Sequence, residues 1–354
     1  MRSLDLEVQK LSTISKLRER LNVRPNVCVR VRLTTGGLCS GLFPALLIAC
    51  GLLSAQAPVV PRAAAYTVEI TDLSLKFVDF YNSSVAEHAD PDRRWELWKS
   101  KYDFAAVPPI PAGQKMAREQ LDAAWAKYPE AMSQIRLGAA ALAPSPQERL
   151  TEVAALLGAQ GPVRIRLIAF VGTFRRSAFS MGLKDGVSTI AIPLEDSAQD
   201  HALDMTHEFT HAVQMQEGGW TGQSVASAVF AEGLATRVTE HLNPGFPANI
   251  YTTSSSAWLE RCKASLPQVL HELREHGADS GAQAVSKFTY GTGTAGLDRE
   301  VYCGGWFVVG RMLSDGVSFS ALGRLTQSEA EGKVAATIDS LLASSTPAAR
   351  SGSR

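Results

Sequence analysis

"GVSTIAIPLEDSAQDHALDMTHEFTHAVQMQ", residues 186–216, holds two hydrophobic rhythms in a single run. Its first eleven residues, 186–196, are rich in β-branched and apolar side chains and read as a strand. From Asp196 or Ser197, either of which can cap a helix, the rhythm changes. Leu203, Met205, Phe209 and Val213 then stand as packing residues on a helix expected over about 197–217. A strand that feeds directly into a helix places both in the same core. Upstream, "PVRIRLIAFVG", 162–172, alternates Val163, Ile165 and Leu167 against Arg164 and Arg166, which is strand period.

Outward from this centre the pattern is helical. Residues 68–86, with Leu73, Leu75, Phe77, Val78, Phe80 and Tyr81, suit one helix, and "DPDRRWELWKSKY" opens a second at Asp-Pro. "VPPIPAG", 107–113, is a break, followed by an Ala-rich helical stretch with a kink expected near Pro129. Ser145, Pro146 and Glu148 form a helix start that Gly158 closes. Beyond the centre, helices are expected at about 224–241, 256–276, 298–315 and 331–344. The fold class expected is therefore α+β: mostly helical, with a small mixed or antiparallel sheet between two helical halves. The divisions expected are an N-terminal extension with a signal (1–55), a linker (56–65), a helical part (66–158), the main domain (159–345) and a disordered tail (346–354).

Composition narrows the function. Lys plus Arg equals Asp plus Glu at 35 each, which gives no electrostatic case for nucleic acid or an anionic surface. A basic stretch ending in Arg24, Arg30 and Arg32 precedes "LCSGLFPALLIACGLLSA", 38–55, which carries no charge. That order resembles a secretory signal, displaced from Met1 far enough that the true start could be Val29 or Val31. "LIAC", 47–50, resembles a lipobox, so Cys50 is a candidate lipid anchor. Cuts after Ala57 or Ala65 are the competing choices. Export would leave Cys262 and Cys303 in an oxidising compartment, either paired or as two buried thiols.

"HEFTH", 207–211, carries the chemistry. One helical turn separates His207 from His211, so the two imidazoles leave the same face and can converge on one ion. Glu208 is rotated about 100° from His207 and can stand beside the ion without binding it. A third donor is available in "FAEGLATRVTEHL": Glu232, flanked by small residues on a second expected helix beyond the turn "EGGWTGQ". The bland alternative is two histidines and a salt-bridging glutamate sharing a helix.

HExxH followed about twenty residues later by the glutamate of "AEGLA" resembles the gluzincin zinc metallopeptidases. Within that class the order of helical half, strand and HExxH is most similar to the predicted zinc-dependent proteases that carry an "EGLA" helix. The resemblance covers roughly 160–315. It implies a zincin-like fold, Zn2+ held by His207, His211 and Glu232, and Glu208 as general base in the hydrolysis of a peptide or protein substrate. It also implies an edge strand beside the cleft, for which "VSTIAIPLE" is the candidate, and a charge stabiliser from a later helix. Tyr302 is the first choice for that role, with Tyr290, Tyr251, His271 and His276 behind it. The aminopeptidase signature GAMEN is absent from the sequence. Asp204 shares the histidine face and could orient an imidazole or complement the helix dipole; Thr236 is expected to pack. His201 and His241 are expected at the surface or as caps, and His88 in a turn. Two other readings stay open: an exported lipoprotein with a structural zinc, and a zinc hydrolase of esters or small amides.

Overall fold

A computed structural model describes residues 66–107, 111–218, 220 and 223–345. The expected signal, Cys50, linker and tail lie outside the described residues. The fold is α+β, mostly helical, with a four-stranded mixed sheet.

The sheet has the order β1-β2-β4-β3, built from Thr67–Asp72 (β1), Arg164–Phe170 (β2), Phe179–Lys184 (β3) and Val187–Pro193 (β4). β1 and β4 both run parallel to β2, and β3 runs antiparallel to β4. β2 buries Ile165 and Leu167–Phe170 and leaves Arg164 and Arg166 exposed. The hairpin between β3 and β4 turns on Asp185 and Gly186, at φ 54° and 74°. Two successive positive φ values define the tight turn that an Asp-Gly pair favours.

Two expectations are corrected here. Residues 68–86 do not form one helix. Thr67, Val68, Ile70 and Thr71 are β-branched and take the extended form as β1, and the helix α1 begins only at Ser74 (Ser74–Ala86). Asp72 marks the switch, its carboxylate accepting from the Ser74 and Ala139 amides at 2.8 and 2.7 Å. Nor is "VSTIAIPLE" an edge strand: β4 is enclosed between β2 and β3, and Ile190–Pro193 are buried. The outer strands are β1 and β3.

α2 (Pro91–Lys101), α3 (Pro111–Ala124), α4 (Tyr128–Leu137) and α5 (Pro146–Leu156) complete the first half. Its core holds Phe77, Phe80, Tyr128 and Ile135, continuous with residues of the sheet and of the later helices. Two buried phenols join the halves. The Tyr102 hydroxyl donates to the Val171 carbonyl at 2.8 Å and accepts from its amide at 2.7 Å. Tyr128 donates to the Gly172 carbonyl at 2.8 Å.

The second half comprises α6 (Ala198–Glu217), α7 (Val225–Leu242), α8 (Ala248–Tyr251), α9 (Ser256–Glu275), α10 (Ala282–Thr289), α11 (Glu300–Ser314), α12 (Phe319–Gly323) and α13 (Gln327–Ser345). Ser197 caps α6 and Ser224 caps α7 in a capping box with Ser227. α6 lies on β3 and β4. Its far end is tied to β2 by Gln216, which accepts from the Arg164 amide and donates to the Arg164 carbonyl, both at 3.0 Å. α11 crosses α7 at Gly233 and Gly305, where a Cβ on Gly233 would stand 2.4 Å from the Gly305 oxygen. Cys262 of α9 and Cys303 of α11 form a disulfide.

Candidate metal centre

His207 and His211 leave α6 on the side that faces α7, as their spacing predicts, and Glu232 of α7 meets them. The His207 Nε2 lies 3.1 Å from Glu232 Oε2 and 3.1 Å from His211 Nε2, and the His211 Nε2 lies 3.6 Å from Glu232 Oε2. Donors bound to one ion in a tetrahedron at about 2.0–2.1 Å stand about 3.3–3.4 Å from one another. The observed triangle brackets that value, so the residues fit a small tetrahedral cation. The three side chains are only 12–15% exposed. Among the described residues, this is the group of His, Cys, Asp or Glu whose donors converge closely enough for a metal.

The electrostatics agree with a cation-seeking site. Burial works against an imidazolium at His211, yet the Glu232 carboxylate more than offsets it, and the pKa of the ring is raised to about 9. Burial pushes the Glu232 carboxyl up, but His211 and His207 outweigh it and hold the group well below its usual range. A proton shared with His211 thus takes the place of the ion's charge, and metal and proton compete for the same donors.

Glu208 is one residue on from His207. Burial raises its carboxyl, and the fields of His207 and His211 pull it part of the way back, so it shares their environment. Tyr302, two residues into α11, lies with its ring nearly parallel to that of His207, at 12° and 6.4 Å between centroids. Burial pushes its phenol well above 10, and the Glu232 carboxylate adds to the shift. Tyr302 therefore stands beside the His207 ring.

The other tyrosines and histidines considered have different places. Tyr251 is buried and bonds the Asn243 carbonyl at 2.7 Å, and His276 pairs with Asp279 at 2.8 Å. His271 and His241 are exposed, His241 against Phe319. Tyr290 is half exposed, near enough for its phenol to bear on that of Tyr302. Thr236 returns its hydroxyl to the Glu232 carbonyl at 2.6 Å, a packing role. His201 is a correction: it is buried, 1% exposed, and its Nε2 meets the Pro193 carbonyl at 2.9 Å. Helix α6 leans its first turn on β4, and that face takes in residue 201. His88 sits in a turn at φ 47°.

Arg176 is the residue that sequence reasoning missed. Its Nη2 meets Asp204 at 2.9 Å and its Nε lies 3.1 Å from Asp200. Burial raises the Asp204 carboxyl and Arg176 opposes the shift. The loop carrying Arg176 is held by buried Glu195, which accepts from the Gly172 and Phe174 amides at 2.8 and 3.0 Å. Asp200 and Asp204 stand one turn apart and together call for a cation. Nothing local indicates that it comes from the loop between β2 and β3.

Residues 176–331 match the family described as "Predicted Zn-dependent protease (DUF2268)". The matched span includes His207, Glu208, His211, Glu232 and Tyr302, and begins at Arg176. Searches of curated proteins and of solved structures found no match. The class to which the chain is similar is thus that of a zinc-dependent protease, by a description that itself rests on prediction.

Proposed function

We propose that the protein is a zinc metallopeptidase of the gluzincin kind, with "AEGLA" as its glutamate helix. The observation that carries this reading is the triangle of His207, His211 and Glu232 donors at metal-ligand spacing, with Glu208 beside it. His207, His211 and Glu232 would hold a Zn2+, which would supply Lewis acidity to a water and to the scissile carbonyl. Glu208, buried beside the histidine pair, is the residue that would take a proton from the attacking water and return it to the leaving amine. The Tyr302 hydroxyl, kept protonated by burial, donates a hydrogen bond to the oxyanion that develops on the carbonyl. β3, an outer strand of the sheet, is the candidate to pair with an extended peptide.

Metal analysis of the wild type beside His211→Ala, with casein and peptides offered to both, tests the reading. One zinc per chain and cleavage are expected for the wild type, and neither for the variant. Zinc without peptide cleavage would favour the structural-zinc lipoprotein, and cleavage of esters alone would favour a different hydrolase. Among the described residues no fourth His, Cys, Asp or Glu joins the three donors, which favours an open catalytic position over a closed structural one.

The reading extends to location. The basic segment and uncharged run over 38–55 support export, and the Cys262–Cys303 disulfide suits an oxidising compartment. Attachment through a lipid on Cys50 would place the site outside the cytoplasm at a membrane. Lipid labelling of wild type against Cys50→Ser, with fractionation of both, checks it: a label retained by the variant is incompatible with anchoring through Cys50.

A further inference from the structure

We propose that Arg299 recognises a carboxylate of the peptide substrate close to the scissile bond, so that the site selects for an acidic side chain or a free C-terminus there. The inference rests on the peptidase reading and adds to it a class of substrate.

Arg299 is the residue immediately before α11. Its guanidinium carbon lies 3.8 Å from the centroid of the Tyr302 ring, which in turn lies 6.4 Å from the His207 ring. The guanidinium is therefore no further from the metal-ligand imidazole than the sum of those two distances. An extended peptide advances about 3.3–3.6 Å per residue, so a carboxylate at Arg299 belongs to a residue within about two or three positions of the bond cut.

The backbone of Arg299 is left-handed, at φ 60° and ψ 47°. Glycine or asparagine takes that conformation more readily than a long side chain. The surrounding loop holds it there. The Arg299 amide donates to the Gly291 carbonyl at 2.9 Å, the Trp258 indole donates to the Asp298 carbonyl at 2.8 Å, and fully buried Glu300 accepts from the Leu297 amide at 3.2 Å. A strained position kept for an arginine points to use of its side chain. The side chain is only partly buried, and its Nη1 donates to the Thr253 carbonyl at 2.6 Å, which aims the planar group. Among the described residues no carboxylate lies within ion-pair distance of it, unlike Arg176 and Arg237, which are paired with Asp204 and Glu240. A guanidinium held over the Tyr302 ring, with donors to spare, matches the fork that a carboxylate accepts.

The test uses full-length zinc-loaded protein carrying Glu208→Gln, so that peptides bind without turnover. Four labelled peptides of one sequence are titrated, with Glu or Gln at a single position and a free or amidated C-terminus. Comparison of the two differences identifies which carboxylate is read. A carboxylate-bearing peptide is expected to bind about 10- to 100-fold tighter than its neutral twin. That ratio should shrink as salt is raised. It should collapse toward one in Arg299→Gln and in Arg299→Gly, the latter suited to the left-handed backbone, and survive in part in Arg299→Lys. Thermal melting confirms that each variant is folded. A ratio of one with Arg299 present, a ratio unchanged in Arg299→Gly, or no binding by any of the four peptides overturns the inference. Turnover of the same peptides by the wild type reports separately on the peptidase reading: cleavage without preference removes the role of Arg299 and leaves the peptidase standing.

Discussion

Glu208 differs from its two histidine neighbours in that it has no part in the donor triangle, and this separates holding a metal from using it. Glu208→Gln keeps the shape and loses the base. Its zinc content should equal that of the wild type while kcat falls about 10²- to 10⁴-fold, the range for general acid–base catalysis. Full activity in that variant would remove Glu208 from the proton path. The paired shifts of His211 and Glu232 make a second claim at this scale, for the metal-free protein. The folded pKa of His211 lies above its unfolded value, so its contribution to stability is complete below about pH 6.5 and is lost as pH rises through about 9. Glu232 is depressed, so its contribution is present above its ordinary value and is lost as pH falls in the acid range. Melting of chelator-treated protein should thus weaken on the alkaline side of this window. His211→Gln should flatten that limb, and an unchanged slope would show that another group sets it.

At the scale of elements, the crossing of α7 and α11 governs the site, because Glu232 and Tyr302 lie one on each helix. Gly233 and Gly305 let the two backbones touch; a Cβ on Gly305 would stand 2.6 Å from the Val229 oxygen. Backbone cannot yield as a flexible side chain does. Gly233→Ala should cost about 1–3 kcal/mol in denaturant unfolding and weaken zinc affinity, since it forces apart α11 and the helix that carries Glu232. Loss of stability with unchanged zinc affinity would uncouple the crossing from the centre. The glycine of "EGLA" therefore has a physical reason beside the glutamate. The Cys262–Cys303 disulfide fixes α11 from its other side. Closing a loop of 41 residues in sequence corresponds to about 4 kcal/mol in the chain-entropy account. Reductant should lower the denaturation midpoint accordingly, and a midpoint indifferent to reductant would show that the bond does not form.

Across the whole molecule, the first half is joined to the site through the sheet. β1 pairs with β2, and Tyr102 and Tyr128 hold Val171 and Gly172 at the root of the loop that carries Arg176. The fragment 159–345, expressed alone, would expose the buried face of β2 and one edge of it. It should give no cooperative unfolding transition and no tight zinc site. A fragment that folds and binds zinc would show that the helical half serves another purpose.

Much of this was legible in local sequence. The strand-to-helix switch over 186–216, the caps at Ser145 and Ser197 and the facing histidines all rest on spacing within one or two turns, which helix geometry dictates wherever the helix lies; the choice of Glu232 rests on the turn between two expected helices and on the family resemblance. Three features depended on pairing between segments far apart in the chain. Residues 67–72 became a strand because β2 offers a parallel partner, although Phe77 and Phe80 extend a helical rhythm backward over them. β4 became interior because the Asp185-Gly186 turn folds β3 across it. Arg176 found Asp200 and Asp204 only when the loop after β2 was drawn under α6. Periodicity records which face a segment buries; it does not record what that face meets, and the edge strand, the Arg176 bridge and the placing of Tyr302 beside His207 were decided by tertiary packing.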